Sequence, residues 1–285
     1  MENGNLKIVK LAGGLGNQLF QVCFGQYLAR TFGCKVRYFN EPGLRPLWAI
    51  SALVPEIDYC THSDLVECGY AFPSRLAYRI KRKACELFPW LDRNVMVETG
   101  SRYHGQIRPE TRVFDGYWQS YRYLPQQLSF SFPDMALPHL EEIGRTNAVF
   151  VHLRRGDYLN KANQGIFAVC GIDYFERAIR QLASQLEQPV FYVFSNDMEW
   201  AKTHLKVPGV ALRYIANEGE HADIVDFLEM TLCRHAIISN STFSWWAAWL
   251  IGHPGKQVIA PKKWYQQEAM NAATKDLFPV SWTRI

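Results

Sequence analysis

The sequence predicts an α/β protein built on two parallel, doubly wound sheets, and three observations carry that prediction. The opening of the chain reads strand, glycine-rich turn, long helix, strand. Its second half alternates short apolar runs with helical patterns. At the start of that half, Val149-Phe150-Val151 stops abruptly at His152-Leu153-Arg154-Arg155-Gly156-Asp157-Tyr158. A buried strand looks like this when its carboxyl end carries a ligand site, which is where open α/β sheets place their ligands.

Taken in order, Leu6 to Ala12 has the apolar pattern of a first strand. Leu19 to Phe32 has that of a helix closed by Gly33 at the C′ position, and Lys35 to Phe39 that of a second strand. Between strand and helix lies Gly13-Gly14-Leu15-Gly16-Asn17-Gln18. Residues 41–110 are irregular, broken by Pro42, Pro46, Pro55, Pro73, Pro89 and Pro109. Val113 to Trp118 reads as a strand ending in a polar aromatic loop, and Pro125, Pro133 and Pro138 mark a linker. Strands are then expected at 148–152, 190–195, 211–215, 235–238 and 257–260, with helices at 172–187, 197–205, 222–233 and 242–251. The boundaries that follow are an N-terminal Rossmann-like domain over 1–140 and a C-terminal one over 141–265. A tail over 266–285 is free to return to the first.

Composition narrows the function classes. A chain of 285 residues with 48% hydrophobic and 20% charged residues is a folded globular protein. A net charge of +4 is scattered, and its densest basic cluster, Arg79-Ile80-Lys81-Arg82-Lys83, has no aromatic interleaving. It reads as a solvated helix face, which argues against nucleic-acid binding. The seven cysteines are odd in number and contain no C-x-x-C pair, which disfavours a disulfide framework or thiolate zinc site and favours a cytoplasmic setting. Only Cys60 and Cys68 call for a check as a pair. Met1 to Lys7 lacks the basic and apolar regions of a signal peptide, and no window approaches about 18 uninterrupted apolar residues. Peripheral association with a membrane stays open.

The residues able to carry chemistry cluster at predicted strand ends. Side chains two apart in a strand share a face, so His152 and Arg154 point together while Arg155 points away. Arginine's planar fork suits phosphate oxygens; the plainer alternative is an Arg155–Asp157 surface pair. Gly14 and Gly16 permit close backbone approach to a ligand, and Asn17 and Gln18 can cap the helix or reach that ligand. The turn is neither a Walker loop nor a full dinucleotide fingerprint. Ser239-Asn240-Ser241-Thr242-Phe243-Ser244 runs from an apolar strand into an aromatic helix, offering hydroxyls, free N–H groups and a dipole that favours anions. Four consecutive capping residues exceed what one cap needs. Trp245, Trp246 and Trp249 read as helix packing. Asp197 opens a helix and reads mostly as its cap. Asp226, before the serine-rich segment, suits two N–H donors of a guanine edge or an ordinary helix surface. A D-x-D metal clamp is absent, Glu218-Gly219-Glu220 reads as a solvated loop, and the histidines show no ligand spacing.

Together these motifs resemble the α-1,2-fucosyltransferases of glycosyltransferase family eleven: G-G-L-G-N-Q-L-F-Q over Gly13 to Gln21, H-L-R-R-G-D-Y over His152 to Tyr158, F-S-N-D over Phe194 to Asp197, and Asp226 to Trp249. The resemblance implies a GT-B fold, two Rossmann-like domains facing each other across a cleft. It also implies inverting transfer of fucose from GDP-β-L-fucose to the 2-hydroxyl of a terminal galactose, on an oligosaccharide or lipid-linked glycan. It places Arg154 on the β-phosphate, His152 and Asp226 on the guanosine, Ser241 and Thr242 on the phosphates, with Asn240 and Phe243 in the same segment. It puts Asn17, with Gly14, Gly16 and Gln18, near the fucose–phosphate region, and Asp197 among the substrate-binding residues. It implies no cofactor and no metal. The absence of an anchor, unlike Golgi members, points to a bacterial, cytoplasmic enzyme.

Residues Gly165 to Cys170 depart from the family's usual pattern, which leaves acceptor choice open. The base that takes the acceptor proton is open among Asp157, which leads, and Asp115, His152 and Glu110. Two other readings compete: a fucosyltransferase of another linkage, α-1,6-like, and a non-catalytic nucleotide-sugar-binding protein on the same fold.

Overall fold

The computed structural model describes residues 6–40, 48–98, 100–125, 130–155 and 168–285. The chain divides into two compact units, Met1–Pro133 with Ala273–Phe278, and Asp134–Ala272 with Pro279–Ile285.

In the first unit, strand β1 (Leu6–Leu11) leads into helix α1 (Leu15–Phe32) and strand β2 (Lys35–Asn40). Helices α2 (Trp48–Leu53), α3 (His62–Glu67) and α4 (Arg75–Leu87) follow, then strands β3 (Val95–Val97) and β4 (Val113–Asp115). Among the described residues the sheet runs β2-β1-β4-β3, parallel throughout. Helix α1 begins at Leu15, not Leu19, because the Asn17 and Gln18 amides already bond the Gly14 carbonyl at 3.0 and 3.1 Å. Most of α1 is buried, so it lacks the polar stripe that would have marked its first turn. Gly16, Asn17 and Gln18 are therefore helical, and the tight turn is confined to Ala12–Gly14.

Helices α2, α3 and α4 and strand β3 lie where the prolines suggest irregular chain. Helix α4 is held by charge: the fully buried Asp115 pairs with Lys10 at 2.8 Å and accepts from Tyr70 at 2.9 Å and Tyr78 at 2.6 Å. Arg82 of α4 closes the cluster at 3.3 Å. The predicted solvated face is thus only half solvated, since Arg82 turns to Asp115 and Lys81 to Asp92.

The second unit holds α5 (Leu140–Gly144), β5 (Asn147–Leu153), α6 (Ile172–Gln185), β6 (Pro189–Ser195) and α7 (Met198–His204). It continues with β7 (Ala211–Tyr214), α8 (Ala222–Leu232), β8 (His235–Ile237), α9 (Thr242–Leu250), β9 (Val258–Ala260), α10 (Glu268–Ala272) and β10 (Thr283–Arg284). Its parallel sheet runs β10-β9-β8-β5-β6-β7 among the described residues. Val149, Val151 and Leu153 face α6 and α7 in one apolar core. The division falls at Pro133, ahead of the expected 140, because the residue before α5 is tied to α8 through the His139–Glu229 contact. The tail divides: Asp276 receives the Tyr103 and Tyr121 amides of the first unit, whereas β10 pairs with β9 and Trp282 packs on Trp245. Both units are Rossmann-like α/β sheets, as the sequence predicts. All seven cysteines, Cys60 and Cys68 included, are free thiols.

Glu98 staples the loop after β4. Its Oε2 accepts from the Tyr117 and Trp118 amides at 2.7 and 2.6 Å, while its buried Oε1 has no partner. Glycine is required at position 116, where a Cβ would lie 2.3 Å from that of Glu98. Burial raises the Glu98 pKa to about 8 against those two hydrogen bonds. The folded state therefore holds this proton more tightly than the unfolded chain. The stabilising contribution is complete below the usual carboxylate range near 4.5 and is lost as pH rises through about 8. Melting temperature should fall by several degrees across that window, and Glu98→Gln should flatten the slope. Parallel pH profiles for the two proteins would contradict this.

Candidate functional site

Strand β5 lies between β8 and β6. The chain leaves β5 for β6 through α6 on one face and returns from β7 to β8 through α8 on the other, so the connections at the carboxyl ends of β5 and β8 lead to helices on opposite faces of the sheet. That divergence opens the crevice in which such sheets bind ligands. One hydrogen bond spans it: the buried His152 Nδ1 lies 3.2 Å from the Ser239 Oγ, joining the ends of β5 and β8. The His152 ring packs 5.6 Å from Phe243 of α9, and Phe243 packs 5.3 Å from Phe227 of α8. His152, Phe243 and Phe227 of α8 therefore pack as one wall of the crevice.

Helix α9 points its amino end at the same place. Ser241 is the N-cap, yet its side chain makes no capping bond. Thr242 and Phe243 are half-buried in the first turn, where backbone N–H groups have no intrahelical acceptor. Asn240 turns inward, donating to the Trp264 carbonyl at 3.1 Å and accepting from the Cys170 thiol at 3.8 Å. It braces the segment and is not placed as a ligand contact. Trp245, Trp246 and Trp249 pack against one another, as expected of helix packing.

Arg155 lies on the α7 side, the side that strand alternation from Leu153 gives it. Arg155 lies over the Trp200 ring of α7 at 3.9 Å, with its Nε 3.8 Å from the Asp197 carboxylate. Asp197 also caps α7 by accepting the Trp200 amide at 3.3 Å. Its carboxylate thus serves as the helix cap that the sequence reading gave it, beside Arg155. Arg154 is half-buried just past the end of β5, and alternation puts it on the His152 side.

Asp226 sits in a carboxylate pair. Asn217 Nδ2 donates to Asp226 Oδ1 and to Glu229 Oε2, each at 2.9 Å. Glu229 is fully buried and also receives the His139 amide at 2.8 Å. Burial raises the Asp226 pKa to about 6, with Asn217 opposing and Glu229 and Asp223 adding to the rise.

In the first unit the corresponding divergence lies between β1 and β4. Gln21 is fully buried and bridges it, accepting from the Ala12 amide at 2.9 Å and donating to the Gly116 carbonyl at 2.8 Å. Asn17 accepts from Gln119 at 2.8 Å, and Gln18 donates to the Gly13 carbonyl at 3.1 Å. Gly14 is the N-cap of α1, while Gly13 carries the left-handed φ of +77°. Of the candidate bases, Asp115 is consumed by its ion cluster. Burial would raise its pKa, but Lys10, Tyr78 and Arg82 hold it below the usual range. Glu110 is exposed ahead of β4, at the amino end of the sheet, so it too drops out. Asp157, like Gly165 to Phe167, lies outside the described residues.

Sequence reasoning missed Ser239, Asn217, Glu229 and Gln119. Only Ser239, inside the serine-rich segment, carried a signal. Among the described residues no cluster of three or more His, Cys, Asp or Glu side chains is arranged for a metal, and no helix is long and apolar enough to cross a membrane.

A sequence profile described as Glycosyl transferase family 11 matches residues 138–285, a span that contains every second-unit residue named above. The chain belongs to glycosyl transferase family 11. An alpha-1,2-colitosyltransferase of Escherichia coli is 30% identical over 301 residues, taking in 99% of each chain. Human galactoside alpha-(1,2)-fucosyltransferase 1 is 33% identical over 267 residues, covering 84% of this chain and 64% of the human protein. Among solved structures, the fucosyltransferase NodZ from Bradyrhizobium matches 85% of this chain and 91% of its own, at 12% identity and a TM-score of 0.47.

In this family 11 glycosyltransferase the stacked, half-buried Arg155 stabilises the loop after β5. Arg155→Ala should lower unfolding free energy in urea by about 1 kcal/mol, the size of a partly exposed cation–π contact. An unchanged urea midpoint would show that the contact with Trp200 contributes nothing.

Proposed function

We propose that this family 11 glycosyltransferase moves L-fucose from GDP-β-L-fucose to the 2-hydroxyl of a terminal galactose, with inversion at the anomeric carbon. The observation that carries the reading is the His152–Ser239 hydrogen bond at the switch point, with the amino end of α9 beside it. It lies within the span that matches the family, and the names of the E. coli and human relatives both give an α-1,2 linkage.

The chemistry follows from where charge develops. As the bond between the anomeric carbon and the β-phosphate oxygen breaks, negative charge grows on the leaving GDP. Arg154 meets that charge with its bidentate fork, and the first-turn N–H groups of α9, with Ser241 and Thr242, meet it with a helix dipole. These groups are fixed before the reaction and gain most in the transition state, which is what accelerates the step. They supply the neutralisation that a divalent ion would otherwise provide, so transfer is metal-independent. His152 and Phe243 hold the nucleoside and Asp226 accepts the N–H groups of the guanine edge. The acceptor hydroxyl attacks the opposite face of the sugar and passes its proton to Asp157, assigned by its place three residues beyond Arg154. Gly14, Gly16, Asn17 and Gln18 are the substrate-binding residues of the first unit. The acceptor is a galactose-terminated oligosaccharide or lipid-linked glycan.

A second donor is favoured by one observation: a relative that matches 99% of this chain is named a colitosyltransferase. Colitose is fucose without its 3-hydroxyl, so a site that hydrogen-bonds that hydroxyl strongly prefers fucose.

Incubation with GDP-fucose and lactose in EDTA should release GDP and a 2′-fucosylated product. GDP-colitose offered in parallel identifies the preferred donor. Activity only after Mg²⁺ or Mn²⁺ is restored would contradict metal independence, and product at another hydroxyl would contradict the linkage.

Arg154→Ala should slow transfer roughly 100-fold or more, the loss typical of a preorganised charge donor, and Arg154→Lys should recover little. Near-normal turnover in Arg154→Ala would remove this residue from the chemistry.

A further inference from the structure

We infer that Asn217, Glu229 and His139 are positioning residues for the donor's nucleobase, a hydrogen-bonded relay that holds the Asp226 carboxylate oriented for two N–H donors of a purine. The inference rests on the proposed GDP site and names how that site reads its base.

The relay begins with a single amide. Asn217 gives one N–H to Asp226 Oδ1 and the other to Glu229 Oε2, both at 2.9 Å, and so clamps two carboxylates that would otherwise repel. The far carboxylate is secured in turn. Glu229 is fully buried, accepts the His139 amide at 2.8 Å, and has the His139 Nδ1 3.1 Å from both of its oxygens. Glu229 is thus fully engaged and has no surface with which to touch a ligand. Asp226 differs: it is half-buried, and only its Oδ1 is engaged by a described residue. Its neighbour Phe227 packs on Phe243, which packs on His152, so Asp226 stands one residue from the wall assigned to the nucleoside.

Every group facing Asp226 acts on its proton. Burial, with Glu229 and Asp223 from its own helix α8, favours the neutral acid. Asn217, from the loop after β7, and His139, from the N-cap of α5, favour the carboxylate. The balance falls at about 6, so a carboxylate that must accept two N–H bonds is lost to protonation as pH drops below that value.

Calorimetric titration of GDP from about pH 5 to about pH 8 tests the relay, with inosine diphosphate as the probe that lacks the exocyclic amine. The wild-type protein should prefer GDP over inosine diphosphate by roughly 10-fold or more and should lose GDP affinity below about pH 6. Asn217→Ala removes a group that favours the carboxylate, so its midpoint should move to higher pH and its base preference should collapse. Glu229→Gln removes a like charge, so its midpoint should move to lower pH. A merely structural role weakens binding without moving the midpoints in opposite directions. If Glu229→Gln fails to fold by circular dichroism, His139→Ala takes its place and should move the midpoint upward. Wild-type GDP binding with unmoved midpoints and unchanged base preference in the variants would overturn the relay alone. A wild-type protein that binds no GDP at any pH would overturn the underlying site and the relay with it.

Discussion

The second unit depends on one constraint: β5 must lie between β8 and β6. Parallel strands require long crossovers, and right-handed crossovers to opposite sides of β5 carry the chain onto opposite faces. The helices that follow β5 and β8 then lie on opposite faces, and the two strand ends bound a switch point. Everything offered for nucleotide chemistry stands at that divergence: His152 and Arg154 from one strand end, Ser239 from the other, and the amino end of α9. The His152–Ser239 hydrogen bond fixes the two lips in register, and Arg155, turned to Trp200 and Asp197, anchors the same loop from the opposite face. A one-residue slip in β5 would exchange the roles of the two arginines.

Charge is handled differently in the two units. In the first, Asp115 is buried under Lys10, Arg82 and two tyrosines, an arrangement that docks α4 onto the sheet and leaves the carboxylate nothing to offer a ligand. In the second, the Asp226–Glu229 pair is buried with one amide and one histidine between it and instability, and one member keeps an oxygen outside the network. Burial and hydrogen bonding are similar in kind at both places; what differs is the number of compensating cations.

The strands were legible wherever they were short apolar runs bounded by glycine or polar residues, as in Val149–Leu153, Phe191–Ser195 and His235–Ile237; their order in the sheet was not. The motif residues His152, Arg154 and Ser241 could be placed because strand alternation and helix capping are local rules. The stretch from 41 to 110 was not legible. Its prolines flank helices without entering their interiors, and α4 carries its apolar positions among so many cations that docking through Arg82 and Asp115 could not be foreseen. Asn240 and Asp197 could be read two ways because amides and carboxylates at helix starts serve as caps and as ligand contacts; their partners, Trp264 and Trp200 with Arg155, were not visible in the sequence. Asn217 and Glu229 carried no local signal at all, since their meaning lies in contacts between the β7 loop, α5 and α8.

The central claim is that nucleotide binds at the β5–β8 divergence, with its phosphates at the amino end of α9. Hydrogen–deuterium exchange with and without GDP tests it most directly. The account predicts slowed exchange at the amides after β8 through the first turn of α9, at those after β5, and in the first turns of α8. Protection confined to the first unit, or to the α6–α7 face of the second, would contradict it.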